Sequence, residues 1–155
     1  MSQIEIAVAD ASSDPARWAM TQYFEELDSR FPTGFDATGA LDGAAAAYNP
    51  PAGLFLLSSL DGETVGCAGL QHLDDDTSEI KRMWVSPAAR GQGLARRLLA
   101  RLESETLASG RTNVVLDTNA TLTEAISLYE RQGYVSIERY NDNPYAGRWF
   151  ARQLD

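Results

Sequence analysis

The sequence predicts a mixed α/β domain in which helices flank a central, mainly antiparallel sheet. Three observations lead there. Between Leu54 and Val85, apolar runs alternate with short polar turns, which is the pattern of a strand meander. On either side lie stretches whose apolar residues recur three or four apart, the spacing of helices packed along one face. The chain has 155 residues, 44% of them hydrophobic, so it suits a single domain, 1–155. A domain of that length hides roughly 68–70% of its unfolded surface and needs neither disulfides nor structural metal to build a core.

The elements follow in order. Ile4-Glu5-Ile6-Ala7-Val8 alternates apolar and polar residues and reads as an opening strand with one buried face. Asp14-Pro15 then opens a helix: Asp14 can cap, Pro15 suits the first helical position, and Met20, Tyr23, Phe24, Leu27 and Phe31 share a face. Pro32 and Gly34 close it. A second helix is expected from a cap at Asp36 through Leu41 and the Ala44 to Ala47 run, interrupted by Gly39 and Gly43 and ended by Asn49-Pro50-Pro51.

The meander comes next. Leu54 to Leu57 and Val65 to Leu70 flank Asp61-Gly62, a hairpin signal, and Asp74-Asp75-Asp76 turns the chain into a third strand, Glu79 to Val85. A glycine-punctuated turn leads into a helix with Leu94, Leu98, Leu99 and Leu102 as its apolar stripe and Gly110 at its end. Asn113 to Asp117 is a short buried strand. Thr121-Leu122-Thr123-Glu124 reads as a capping box opening a helix with apolar residues Leu122, Ala125, Ile126 and Tyr129. Tyr134 to Ile137 and Arg148 to Gln153 are expected as final strands around the polar loop Tyr140-Asn141-Asp142-Asn143-Pro144.

Charge and composition narrow the function. With 13 Lys+Arg against 22 Asp+Glu, a formal charge of -9 disfavours nucleic acid, whose binding rests on basic residues neutralising phosphates. A cationic partner fits that field better. One Cys and one His exclude an internal disulfide and a Cys/His zinc cage. Cys67 reads as a small buried residue and His72 as a surface one. No metal is expected. The start MSQIEIAVAD has no basic segment followed by a long apolar one, and nowhere do eighteen apolar residues run together, so neither membrane nor secretion is expected and the cytoplasm is the expected compartment.

The turn Val85 to Ala95 carries the chemistry. It leaves a strand and enters an amphipathic helix, whose first N–H groups lack internal acceptors and sit at the positive end of the helix dipole. Glycines let a phosphate approach that backbone, and Arg90 adds a charged donor. A tight turn alone would explain the glycines equally well. Neither a P-loop nor a dinucleotide fingerprint fits, since Gly91-Gln92-Gly93-Leu94-Ala95-Arg96 has Arg where a third glycine is required.

Arg90-Gly91-Gln92-Gly93-Leu94-Ala95 resembles the Arg/Gln-x-x-Gly-x-Gly/Ala pyrophosphate loop of the GNAT N-acetyltransferase superfamily. Downstream, Ala125-Ile126-Ser127-Leu128-Tyr129-Glu130-Arg131-Gln132-Gly133-Tyr134 resembles that superfamily's Ala-x-x-Leu-Tyr-x-x-x-Gly-Phe/Tyr segment. The pair, in this order, is far more specific than either part, and the element order agrees along essentially the whole chain.

The resemblance implies a GNAT acyl-CoA N-acyltransferase fold and acetyl-CoA as cosubstrate. Arg90, Gly91, Gln92, Gly93, Leu94 and Ala95, with Arg96 next, would hold its pyrophosphate, and Met83, Trp84 and Val85 its pantetheine arm. Arg90, Arg96, Arg97 and Arg101 gather basic charge on this loop and helix. Tyr129 stands where the superfamily often protonates the departing thiolate, and Glu79 where some members keep a general base. For Tyr129 a core aromatic remains the alternative; for Glu79, a solvated carboxylate or an ion pair with Lys81. Leu122 occupies the place of a frequent asparagine, whose role would fall to Asn119 just before the helix.

Acyl transfer to an amine needs these parts. A developing oxyanion needs a donor, which a free backbone N–H in a splayed strand supplies, and an alkylammonium with a reference pKa of about 10.4 must lose a proton before attack. By the same resemblance, Glu25, Glu26, Asp28, Arg30, Phe31, Phe35, Asn143 and Tyr145 fall on segments covering the acceptor. Arg30 could clamp a carboxylate there, giving an amino-acid-like small-molecule amine acceptor. An acceptor on a protein, or a silent acyl-CoA sensor, are the other readings. Relatives commonly form homodimers, which stays open for this chain.

Overall fold

A computed structural model describes residues 3–155. Among these residues seven strands form one sheet in the order β1-β2-β3-β4-β5-β7-β6. The strands are β1 Glu5–Ala9, β2 Gly53–Leu60, β3 Glu63–His72, β4 Thr77–Val85, β5 Asn113–Thr118, β6 Val135–Ser136 and β7 Arg148–Gln153. Every neighbouring pair is antiparallel except β4 and β5.

The helices are α1 Asp14–Arg30, α2 Ala44–Ala47, α3 Leu94–Ala108 and α4 Thr123–Arg131. They cover the sheet from both sides. Leu94, Leu98, Leu99 and Leu102 of α3, with Leu128 and Tyr129 of α4, pack against Leu56, Leu70, Ile80, Leu116 and Phe150. On the other face Ala16, Ala19, Met20, Phe24 and Leu27 of α1 pack with Tyr48, Phe55, Cys67 and Trp84. Spacings of three and four residues put each stripe on one side of its helix, which is why both helices were legible from periodicity.

Several local expectations are corrected. Ser13, not Asp14, caps α1: its hydroxyl accepts from the Ala16 N–H at 3.4 Å, so Asp14 takes the first helical position and Pro15 follows it. The second helix shrinks to Ala44–Ala47, because the Asp36 carboxylate closes a turn on the Thr38 N–H at 2.9 Å and Gly39 and Gly43 both have positive φ. The capping box at Thr121 does not form. Asn119 Oδ1 accepts from both the N–H and the hydroxyl of Thr121, and Leu122 sits at the cap without a side-chain bond.

At the sheet edges, β1 starts at Glu5 and leaves Val8 48% exposed. β6 contracts to two exposed residues paired on one side only. The Asp61-Gly62 hairpin forms as expected, with φ of 53° and 82° at the two turn residues.

Candidate active site

The geometry begins in β4. Arg82 has φ 58°, and here Arg82 and Met83 stand opposite the single residue Ala68, since Lys81 pairs with Gly69 and Trp84 with Cys67. Such a bulge bends a strand and re-aims its side chains. β4 meets β5 only over Thr77–Glu79 against Asn113–Val115, and beyond Glu79 the two strands are unpaired with each other. The sheet opens there into a V.

That opening holds a cleft of about 560 Å³. Met83, Trp84 and Val85 line one wall, and Ala125, Leu128 and Tyr129 of α4 line the other. At its end lie Arg90, Gly91, Gly93, Leu94, Ala95 and Arg96. Gly91 and Gly93 have φ of 79° and 77°, a region costly for residues with a Cβ, and a Cβ built on either would meet nothing within 4 Å. Backbone conformation therefore demands these glycines, and the space above them is open. Gly93 caps α3 without a side-chain hydrogen bond, so among the described residues no capping side chain occupies the donors at the start of this 15-residue helix. The residues fit a pyrophosphate.

Arg90 donates from Nε to the Val85 carbonyl at 3.1 Å and is ion-paired with Glu26 of α1. The remaining expected cations divide. Arg96 lines the cleft; Arg97 instead donates to the Ile4 carbonyl at 3.0 Å and Arg101 pairs with Glu105 at 2.9 Å. Arg131 lines the cleft and was not anticipated. Gln92 is not on the lining; its amide reaches the Ala88 carbonyl at 3.4 Å.

A second, smaller cavity of about 110 Å³ adjoins the first. Tyr23, Leu27, Met83, Leu122, Ala125 and Tyr129 line both. Phe31, Phe35 and Tyr145 come together here as expected, with ring centroids 4.6 Å apart for Phe35 and Tyr145 and 5.8 Å for Phe31 and Tyr145. Arg30 is not among them. It lines the large cleft, paired with Glu124 at 2.7 Å and Glu26 at 3.7 Å. Asn119 lines the small cavity and not the large one, and both ends of its carboxamide are engaged: Nδ2 donates to the Tyr145 carbonyl at 2.6 Å while Oδ1 receives Thr121.

Tyr129 is 6% exposed, with its ring 5.8 Å from that of Tyr134 and 6.2 Å from that of Phe150. Its hydroxyl has no protein hydrogen-bond partner among the described residues, and burial pushes its pKa well above the usual phenol value. Glu79 is 4% exposed and lies outside both linings, which rules out the solvated-edge alternative. Its carboxylate accepts from the Tyr140 hydroxyl at 2.6 Å and pairs with Lys81 at 3.5 Å. Lys81 also lies 3.9 Å from Asp117, which receives Asn141 at 2.5 Å and Asn143 at 3.0 Å.

Lys81, Arg82 and Asp117 line the small cavity and were missed as site residues. Asp117 carried a signal, an acid at the carboxyl end of an apolar strand beside a parallel neighbour, where open α/β sheets bind ligands. The adjacent cations Lys81 and Arg82 carried none, because regular alternation sends neighbours to opposite faces and the bulge at Arg82 and Met83 is not written in the local sequence. Cys67 is fully buried with its pKa raised by burial, and His72 bonds Ser78 at 2.8 Å; neither lines either of these two cavities.

A splayed parallel pair, a glycine-rich loop feeding an uncapped helix, and a tyrosine facing the slot describe an acyl-coenzyme A transferase of the N-acetyltransferase kind. The model of the Acetyltransferase (GNAT) family matches residues 15–134, and the chain belongs to that family. It is 35% identical over 130 residues to an IAA acetyltransferase of Azospirillum brasilense, covering 82% of this chain and 84% of that one.

Among solved structures, a GNAT-family acetyltransferase of Staphylococcus aureus superposes with a TM-score of 0.85 at 19% identity, covering 99% of this chain and all of the other. The acetyltransferase yncA of Salmonella typhimurium, solved with its cofactor acetyl-CoA, superposes at 0.69 with 21% identity over 99% and 95% of the two chains. These likenesses establish the fold.

Proposed function

We propose that the chain transfers acetyl from acetyl-coenzyme A directly to the primary amine of a small molecule, with both substrates bound together. The observation that carries this reading is the junction of the two cavities at Met83 and Tyr129, where a thioester and an amine can meet. When bound, the coenzyme supplies an activated acetyl group.

The chain does the rest. The Gly91 to Arg96 backbone and Arg96 bind phosphate, and the splayed segment Met83 to Val85 offers unpaired backbone to the pantetheine and a donor for developing negative charge. Tyr129 holds a proton at Oη beside the place where sulfur departs. Its raised pKa suits this, because the same desolvation makes a departing thiolate more basic. We assign removal of the ammonium proton to the carboxylates Asp117 and Glu79: Asp117 faces the pocket, and Glu79 shares Lys81 and Asn141 with it.

The aromatic lid of Phe31, Phe35 and Tyr145 over a cavity of about 110 Å³ favours a small acceptor over a peptide. The test is thiol release from acetyl-CoA with small amines, amino acids, IAA and peptides. Acceptor-dependent release with small amines is expected. Fastest release with peptides would overturn the small-molecule reading, and tight coenzyme binding with no accelerating acceptor would replace the enzyme with a sensor.

A further inference from the structure

We propose that Arg82 is the carboxylate-recognising residue of the acceptor pocket, so that the acceptor is an amine that also carries a carboxylate. In a chain with 22 acidic residues, the Arg82 guanidinium makes no ion pair or hydrogen bond among the described residues. Its Nε is buried without a partner, and Arg82 is one of the residues lining the small cavity. A desolvated cation without a counterion is costly to the folded protein, and a ligand anion removes that cost.

The nearby carboxylates are committed elsewhere. Glu79 is held by Tyr140 and Lys81, and Asp117 by Asn141 and Asn143. Arg30, the cation the sequence suggested for this task, is held by Glu26 and Glu124 on the coenzyme side.

Arg82 is also preset. The Cys67 thiol donates to its carbonyl at 3.2 Å, fixing the bulge, and its guanidinium carbon lies 5.1 Å from the Phe24 ring centre and 5.9 Å from that of Tyr48. Aromatic faces orient a planar fork while leaving its edge N–H groups for a carboxylate, a geometry that lysine does not reproduce. Arg82 directly precedes Met83, which borders both cavities. The anion site therefore lies beside the meeting point of thioester and amine, which suits an acid a few bonds from the amino group, as in a short-chain amino acid.

The chemistry of this inference rests on the acetyltransfer reading; the binding does not. The test compares amino acids with their carboxamide counterparts in two assays: thiol release, and calorimetric titration of the coenzyme A-saturated protein. Wild type should prefer the acid over the amide by about tenfold or more in kcat/KM and should bind the acid in the titration. Arg82→Gln should collapse the acid-to-amide ratio toward one, and Arg82→Lys should restore part of it.

Equal use of acid and amide by wild type overturns the inference while leaving an acetyltransferase. An unchanged ratio in a folded Arg82→Gln protein overturns it as well. If no acceptor releases thiol, the acetyltransfer reading fails, and the titration alone decides: acid binding that weakens in Arg82→Gln supports the anion site, and no acid binding removes it.

Discussion

The Tyr140 hydroxyl donates to Glu79 Oε2 at 2.6 Å, tying the loop before β7 to a carboxylate at the buried start of β4. The bond separates two roles for Glu79. As a base, Glu79→Gln should lower kcat at pH 7 by about 100-fold or more, with partial recovery at alkaline pH where free amine accumulates. Tyr140→Phe should mainly cost stability, about 1–2 kcal/mol. A Glu79→Gln protein with full kcat and a lowered Tm would make Glu79 an anchor only.

Tyr129→Phe keeps the ring against Tyr134 and Phe150 while deleting the hydroxyl. kcat should fall about 100-fold, with little change in Tm and in acetyl-CoA affinity. Steady-state kinetics with calorimetry of coenzyme binding checks this, and an unchanged kcat would return Tyr129 to the core.

Gly93→Ala should cost about 1 kcal/mol in chemical unfolding, the penalty of a Cβ at positive φ, because the space around that Cβ is open. The same methyl stands where the coenzyme would approach the start of α3, so the KM for acetyl-CoA should rise more than stability falls.

Arg90 is ion-paired with Glu26, so on the proposed reading a coenzyme phosphate would compete with Glu26 for it. The pair is partly exposed and worth at most about 1 kcal/mol, so Glu26→Gln should tighten acetyl-CoA binding by up to about fivefold at low salt. The gain should fade as salt is added, and a loss of affinity would mean that Glu26 positions Arg90 for binding.

Burial raises the pKa of Tyr23 to about 12, and burial also raises those of Tyr48, Tyr129, Tyr134 and Tyr140. Folded values above the unfolded value of about 10 mean that folded protein binds more protons at high pH, so their contribution to stability is complete below pH 10 and is lost as pH rises. Phenolate absorbance should therefore appear together with loss of circular dichroism. Titration of these tyrosines near pH 10 with native circular dichroism retained would contradict their burial.

The helices α1 and α3, the meander and the glycine turn before α3 were legible because their signals are local. Side-chain period, turn residues and a glycine pair depend on neighbours within a few positions. Asn119 and Arg30 were harder, since what a side chain does depends on partners far along the chain: Asn119 on Tyr145, Arg30 on Glu124.

The sequence by itself determined a glycine-punctuated turn feeding a helix, the order of strands and helices, and Tyr129 on an apolar face. Only the tertiary structure decided which residues line the small cavity. One extra residue in β4 interrupts its register against β3 at Arg82 and Met83, next to Lys81, while β4 parts from β5 beyond Glu79; Lys81 and Arg82 both line the small cavity between them. The physical reason is that a bulge is a relation between two strands: it exists in the register of Arg82 and Met83 against Ala68, which no single stretch of sequence contains.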